Sequence, residues 1–240
     1  WDSDEDELSD KFEAKIYDEA NPHIKNDRYA IVLCTDSSWP FGDDMGKVLT
    51  NHYGYTSQNL WKYVGSDATF SNFKKAVNNI ANLSDKNDIV FIGISSHGGY
   101  GGMEFNDGSG NPHGPFVSYS IIDSLLDRIN TMILIVMIDN CYSGSALNYL
   151  NTGPCPRIVY TSCKADETSY VGDFDWAFPA ALGNDDNAYQ SADNSYGDSN
   201  GYVSVKEAYL YAQDYTITNF GVHPQALYYY CSDAYVGEHK

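Results

Sequence analysis

Residues 133–145 read Ile133-Leu134-Ile135-Val136-Met137-Ile138-Asp139-Asn140-Cys141-Tyr142-Ser143-Gly144-Ser145. Apolar residues run unbroken to Ile138, stop at Asp139-Asn140-Cys141, and give way to small polar residues. A run of that length bounded by polar residues fits a strand buried on both faces of a parallel sheet. In open α/β sheets, ligands bind beyond the carboxyl ends of such strands, and Cys141 stands at that end. A second stretch has the same construction: Ile89-Val90-Phe91-Ile92-Gly93-Ile94 leads into Ser95-Ser96-His97-Gly98-Gly99. The glycines beside His97 let a substrate approach the backbone. A cysteine nucleophile needs a base or cationic partner, most often a histidine. Taken singly, Cys141 reads as a buried thiol and His97 as a loop histidine. Two matching strand ends, one with each, predict a catalytic dyad.

Outward from these runs, strands alternate with helices. Arg28 to Cys34 reads as the first buried strand, with Thr35 to Gly42 as the loop on the same rim as His97 and Cys141. A helix is expected over 43–51, a strand over 59–64 and an amphipathic helix over 72–83, whose Phe73, Val77, Ile80 and Ala81 share a face. After His97 the glycines and Asn106-Asp107-Gly108 predict a hairpin excursion, in which His113 reads as a surface histidine. A helix over 118–129 delivers the chain to the cysteine strand. Residues 157–161 form the next strand, 176–182 start a helix interrupted by Pro179, and 184–200 read as a polar loop. A helix over 204–214 and an edge strand over 227–231 close the chain. This rhythm predicts a three-layer α/β/α sandwich around a mainly parallel sheet of about six strands. The expected division is an acidic segment and linker over 1–27 and one large domain over 28–240.

The motifs together resemble the caspase–metacaspase–legumain group of cysteine peptidases. Ser96-His97-Gly98 follows one strand, and Asp139-Asn140-Cys141-Tyr142-Ser143-Gly144 a later one. Thr161-Ser162-Cys163-Lys164-Ala165-Asp166-Glu167-Thr168-Ser169 is similar to the segment after the next strand. The resemblance covers roughly residues 28 to 225, with the motifs in order. The cysteine string is closest to the metacaspase form, which usually has His where this chain has Tyr142; legumain also carries an acidic residue at the place of Asp139. The resemblance implies a caspase-like fold and peptide cleavage through Cys141 and His97, with the tetrahedral oxygen held by the amides of Gly98 and Cys141. It also implies that Asp139 and Ser95 line the pocket for a basic side chain. Asp36 and Asp166 could add negative charge there, and carboxylates favour Arg or Lys through charge-assisted hydrogen bonds. The caspase-type arginine that selects Asp is absent, since no arginine lies between Arg28 and Arg128. Two alternatives remain open: a legumain-like Asn-specific peptidase or transpeptidase, and a non-catalytic, calcium-stabilised binding module.

A formal charge of −19 with only 14 Lys+Arg argues against nucleic-acid or anionic-membrane binding. It favours metal ions or basic substrates. In the opening segment, Asp2, Asp4, Asp6, Asp10 and Glu13 fall at positions 1, 3, 5, 9 and 12 of a twelve-residue calcium loop, with the Leu8 carbonyl at position 7. That spacing resembles the calcium loops of thrombospondin type 3 repeats, although Glu7 occupies the position of the turn glycine. A second alignment puts Asp198, Asn200, Ser204 and Glu207 at positions 3, 5, 9 and 12, against a simpler reading of Ser204 and Glu207 as a helix capping box. Calcium would be structural or regulatory, with no metal in the bond-breaking step. Beyond Cys141, four cysteines allow two disulfides or none. No membrane-spanning run is present. A monomer acting on polypeptides is expected, at an extracellular or cell-surface location suggested by the calcium loop and the sequon at Asn82-Leu83-Ser84.

Overall fold

The computed structural model describes residues 27–236. In chain order its elements are β1 (Arg28–Cys34), α1 (Phe41–His52), β2 (Leu60–Val64), α2 (Phe70–Leu83), β3 (Ile89–Ser95), β4 (Gly98–Gly99), β5 (Gly102–Glu104) and β6 (Phe116–Ser118). There follow α3 (Tyr119–Leu126), β7 (Ile133–Asp139), β8 (Arg157–Thr161), α4 (Phe174–Pro179), α5 (Asp186–Ser195), α6 (Val205–Phe220) and β9 (Gln225–Tyr229). Six strands form one sheet in the order β2-β1-β3-β7-β8-β9. All its pairings are parallel except the last, where β9 returns antiparallel to β8. This is the mainly parallel sheet of about six strands, covered by helices, that the alternation of runs predicts.

Strand alternation splits the core into two layers. Ala30, Val32 and Cys34 of β1 and Ile133, Ile135 and Met137 of β7 face α1, α4 and α6. Tyr29, Ile31 and Leu33, with Leu134, Val136 and Ile138, face α2 and α3. The central strands are therefore apolar on both faces, which is why they appear in sequence as unbroken runs. Each such buried Ile, Val or Leu contributes about 1.5–3 kcal/mol relative to an exposed one.

The excursion after His97 is a small antiparallel sheet, β4-β5-β6, standing apart from the main one. Two helices differ from expectation. Residues 184–200 are not all loop: Asp185 accepts a hydrogen bond from the Ala188 amide and caps α5. Ala188, Ala192 and Asp193 turn to the protein while polar residues face outward. Its polar composition hides the short apolar stripe. α6 runs to Phe220, six residues beyond 214, and ends at Gly221 in the left-handed region (φ 69°). Ser204 and Glu207 form the complete capping box at its start. Residues 1–26, with the acidic loop of Asp2, Asp4, Asp6, Leu8, Asp10 and Glu13, lie outside the described residues. Among the described residues, no helix is long and apolar enough to cross a membrane.

Candidate active site

The parallel register builds the site. Cys34, Ser95 and Asp139 are aligned across the ends of β1, β3 and β7. Beyond that row, the Thr35 amide donates to the Ser95 carbonyl at 3.0 Å and the Ser96 amide to the Asp139 carbonyl at 2.9 Å. His97 and Cys141 each stand two residues past the Ser95–Asp139 pair, so both belong to one rim, on neighbouring strands. All five cysteines are free thiols, and Cys141 is half-buried with its Sγ 3.8 Å from the Ser169 carbonyl oxygen.

The turn after Cys141 is tight. Tyr142 sits in the left-handed region at φ 62°, uncommon for a residue with a large side chain. Its amide donates to the Glu167 carbonyl at 2.7 Å, and Ser145 Oγ donates back to the Tyr142 carbonyl at 2.7 Å. Gly144 must be glycine, because a Cβ there would lie 2.6 Å from the Ala165 amide nitrogen. Gly98 is constrained likewise: a Cβ would lie 2.7 Å from Cγ of Asn140, the residue before Cys141. The Gly98 contact presses the His97 and Cys141 motifs together, and the Gly144 contact packs the cysteine turn on the Cys163–Ala165 segment.

The His97 ring is half-buried, with the edge of Trp39 at a centroid distance of 4.9 Å and the His113 ring stacked at 3.9 Å. Burial holds its pKa below the ordinary 6.5. The His113 charge acts in the same direction, while Glu104 and Asp36 oppose it.

Asp139 is 5% exposed and accepts Ser95 Oγ at 3.2 Å and Ser169 Oγ at 2.7 Å. Its companions are Asp173 and Asp175, both fully buried, and each of the three offers an oxygen within 4.8 Å of the others. Asp173 also accepts Ser169 Oγ at 3.1 Å and the Tyr170 amide at 2.9 Å. Asp175 Oδ1 accepts the Gly172 amide at 2.7 Å, but its Oδ2 is buried with no hydrogen-bond partner. A single Ser169 hydroxyl hydrogen cannot satisfy two carboxylates, so the group has more acceptors than donors. Burial and mutual repulsion push Asp173 up to about 7 and Asp175 up to about 8, and burial raises Asp139 too. The cluster is short of positive charge, which a cation or protons must supply.

Of the residues expected to line the pocket, Ser95 donates its hydroxyl to Asp139, and the acids gathered with Asp139 are Asp173 and Asp175. Asp36 folds onto its own loop, accepting the Ser38 amide and hydroxyl at 2.8 and 2.7 Å. Asp166 is exposed, while the neighbouring Glu167 turns inward to His223 Nδ1 at 2.7 Å. The signal that was missed is Gly172-Asp173-Phe174-Asp175, two acids flanking an apolar residue where a helix begins.

At the second calcium-like alignment, Asp198 and Glu207 converge with Asp193. Glu207 already accepts the Ser204 amide at 2.7 Å and the Asp198 amide at 3.3 Å, and Asp193 accepts the Gly201 amide at 3.2 Å. Ser204 Oγ accepts the Glu207 amide at 3.2 Å, and Asn200 Oδ1 the Tyr202 amide at 2.8 Å. These acceptors close a loop onto a helix start, as a capping box does.

The family model described as the Peptidase C13 family matches residues 29–216. No curated protein matches the chain. Among solved structures, the crystal structure of protein GSU0716 from Geobacter sulfurreducens is similar in fold, with a TM-score of 0.53 at 12% identity. The match covers 87% of this chain and 93% of that one.

Proposed function

Since the chain belongs to the peptidase C13 family, the legumain-like branch of the caspase-fold cysteine peptidases, we propose that Cys141 and His97 are its catalytic pair and that it cleaves polypeptides after Arg or Lys. His97 accepts the Cys141 thiol proton as sulfur attacks the scissile carbonyl, then passes it to the departing amine. The amides of Gly98 and Cys141 stabilise the tetrahedral oxygen. Water resolves the thioester and regenerates the thiol. The observation that carries the pairing is the common rim: both residues lie two positions beyond an in-register pair of adjacent parallel strands.

The preference for a basic residue rests on the Asp139–Asp173–Asp175 cluster and the unpartnered Asp175 Oδ2. A guanidinium or ammonium group reaching Asp139, the least buried of the three, would supply the missing donors and charge together. Family membership favours the competing Asn-specific reading, so the deciding experiment is hydrolysis of fluorogenic peptides ending in Arg, Lys, Asn and Asp. Cleavage confined to Arg and Lys, abolished by Cys141→Ala, is expected. Hydrolysis of the Asn peptide alone refutes the basic specificity, and full activity in Cys141→Ala refutes the dyad. Product masses with a competing amine present separate hydrolysis from transpeptidation.

Calcium enters the proposal only as a structural or regulatory ion of the acidic segment spanning Asp2 to Glu13, in keeping with an extracellular or cell-surface setting. Melting and activity in calcium against chelator test it; identical behaviour in both removes calcium from the reading.

A further inference from the structure

His113 has the sequence context of a surface histidine, and its side chain is 63% exposed, yet it is tightly held. Asn111 brackets its backbone: Oδ1 accepts the His113 amide and Nδ2 donates to the His113 carbonyl, both at 3.1 Å. The next residue, Gly114, packs so closely on the Phe105 carbonyl that any Cβ would collide with it. The His113 ring has its Nδ1 2.9 Å from Glu104 Oε2 and lies flat on His97, with centroids 3.9 Å apart and planes 23° from parallel. Glu104 is itself tied to His97, its amide donating to the His97 carbonyl at 2.8 Å. One acidic residue of β5 therefore grips His97 twice, once through the backbone and once through the stacked ring.

We propose that His113, held by Glu104, is a positioning residue that fixes the plane of the His97 imidazole and, through its own charge, opposes protonation of that ring. The proposal rests on His97 being the base for Cys141. A base must be neutral to accept the thiol proton. Two imidazolium rings at 3.9 Å repel, and Glu104 Oε2 holds the outer ring in place at 2.9 Å from its Nδ1. The charged groups that act on the His97 ring are His113 and Glu104 from the β4-β5-β6 excursion and Asp36 from the loop after β1, while Cys141, its proposed reaction partner, lies two residues past the neighbouring strand's Asp139. His113 is the member of this set whose charge disfavours an imidazolium at His97, and burial of the ring acts in the same direction. The Trp39 edge supplies a second, uncharged wall.

The test uses the full chain with His113→Ala and His113→Phe, each also made in a Cys141→Ala background for NMR titration of the His97 ring. Removing His113 takes away both the charge and the covering ring, so the His97 midpoint is expected to rise. In the active background, kcat is expected to fall about two- to tenfold, the range associated with one aromatic pair, with KM little changed. Phenylalanine restores the stack without the charge: kcat should recover while the His97 midpoint stays above that of wild type. An unmoved or lowered midpoint in His113→Ala, or an unchanged kcat, overturns the proposal even if the peptidase is fully active. A raised midpoint in a protein that cleaves no peptide supports the His113 effect on His97 and instead sinks the assignment of His97 to catalysis.

Discussion

Asp175→Asn should stabilise the empty protein at neutral pH and at the same time impair it as a basic-specific peptidase. An unfolded aspartate titrates near 3.8, whereas in the fold Asp173 is pushed up to about 7 and Asp175 up to about 8. Both shifts are upward, so the folded protein retains protons that the unfolded chain releases. The contribution of this cluster to stability is then fully present below about pH 4 and is lost as pH rises through about 7 and 8. At about 1.4 kcal/mol per pH unit, keeping Asp175 protonated at pH 7 costs up to about 4 kcal/mol. Asparagine keeps the shape, removes the charge and offers an N–H2 to the carboxylates of Asp139 and Asp173. We expect a gain of about 2–4 kcal/mol at pH 7–8, a Tm higher by roughly 5–15 °C, and no gain at pH 4. Losing one charge-assisted partner of a bound guanidinium costs about 1.5–3 kcal/mol, so kcat/KM on the Arg peptide should fall roughly ten- to a hundredfold. Thermal unfolding from pH 4 to 8.5 and the peptide panel measure both halves. A variant that melts below wild type at pH 8, or keeps its Arg-over-Asn preference, refutes the reasoning.

Gly98→Ala should lower kcat/KM by about tenfold or more, because its Cβ would lie 2.7 Å from Asn140 Cγ and push apart the two candidate motifs; an active variant would mean the contact relaxes at no cost to the site. Ser204→Ala removes the cap of α6 and one side of its capping box, which should cost about 1 kcal/mol and roughly 2–4 °C in Tm, without altering peptide preference. Asp166→Asn, at an exposed position, should leave the Arg-to-Asn selectivity ratio within about twofold, as expected for a surface change within ±0.5 kcal/mol. A larger change would return Asp166 to the pocket.

The sheet and the rim that carries His97 and Cys141 were legible in the chain because both follow from local pattern. Strands buried on two faces must be apolar throughout, so the runs ending at Ile94 and Ile138 declared themselves, and the residues just past them fell on one edge as a consequence of parallel register. α5 was not legible, since Ala188 and Ala192 make too narrow an apolar stripe to stand out from polar neighbours. The acidic cluster was legible only in part. Asp139 belongs to a strand end, but Asp173 and Asp175 arrive from a loop and helix more than thirty residues later. His113 is the clearest case of what tertiary structure alone decided: nothing near it in sequence indicates that Glu104 and Asn111 would set its ring against His97. Periodicity is written into the chain because each residue's burial depends on its immediate neighbours. The pairing of charges and rings depends on where distant loops come to rest, and only the folded molecule determines that.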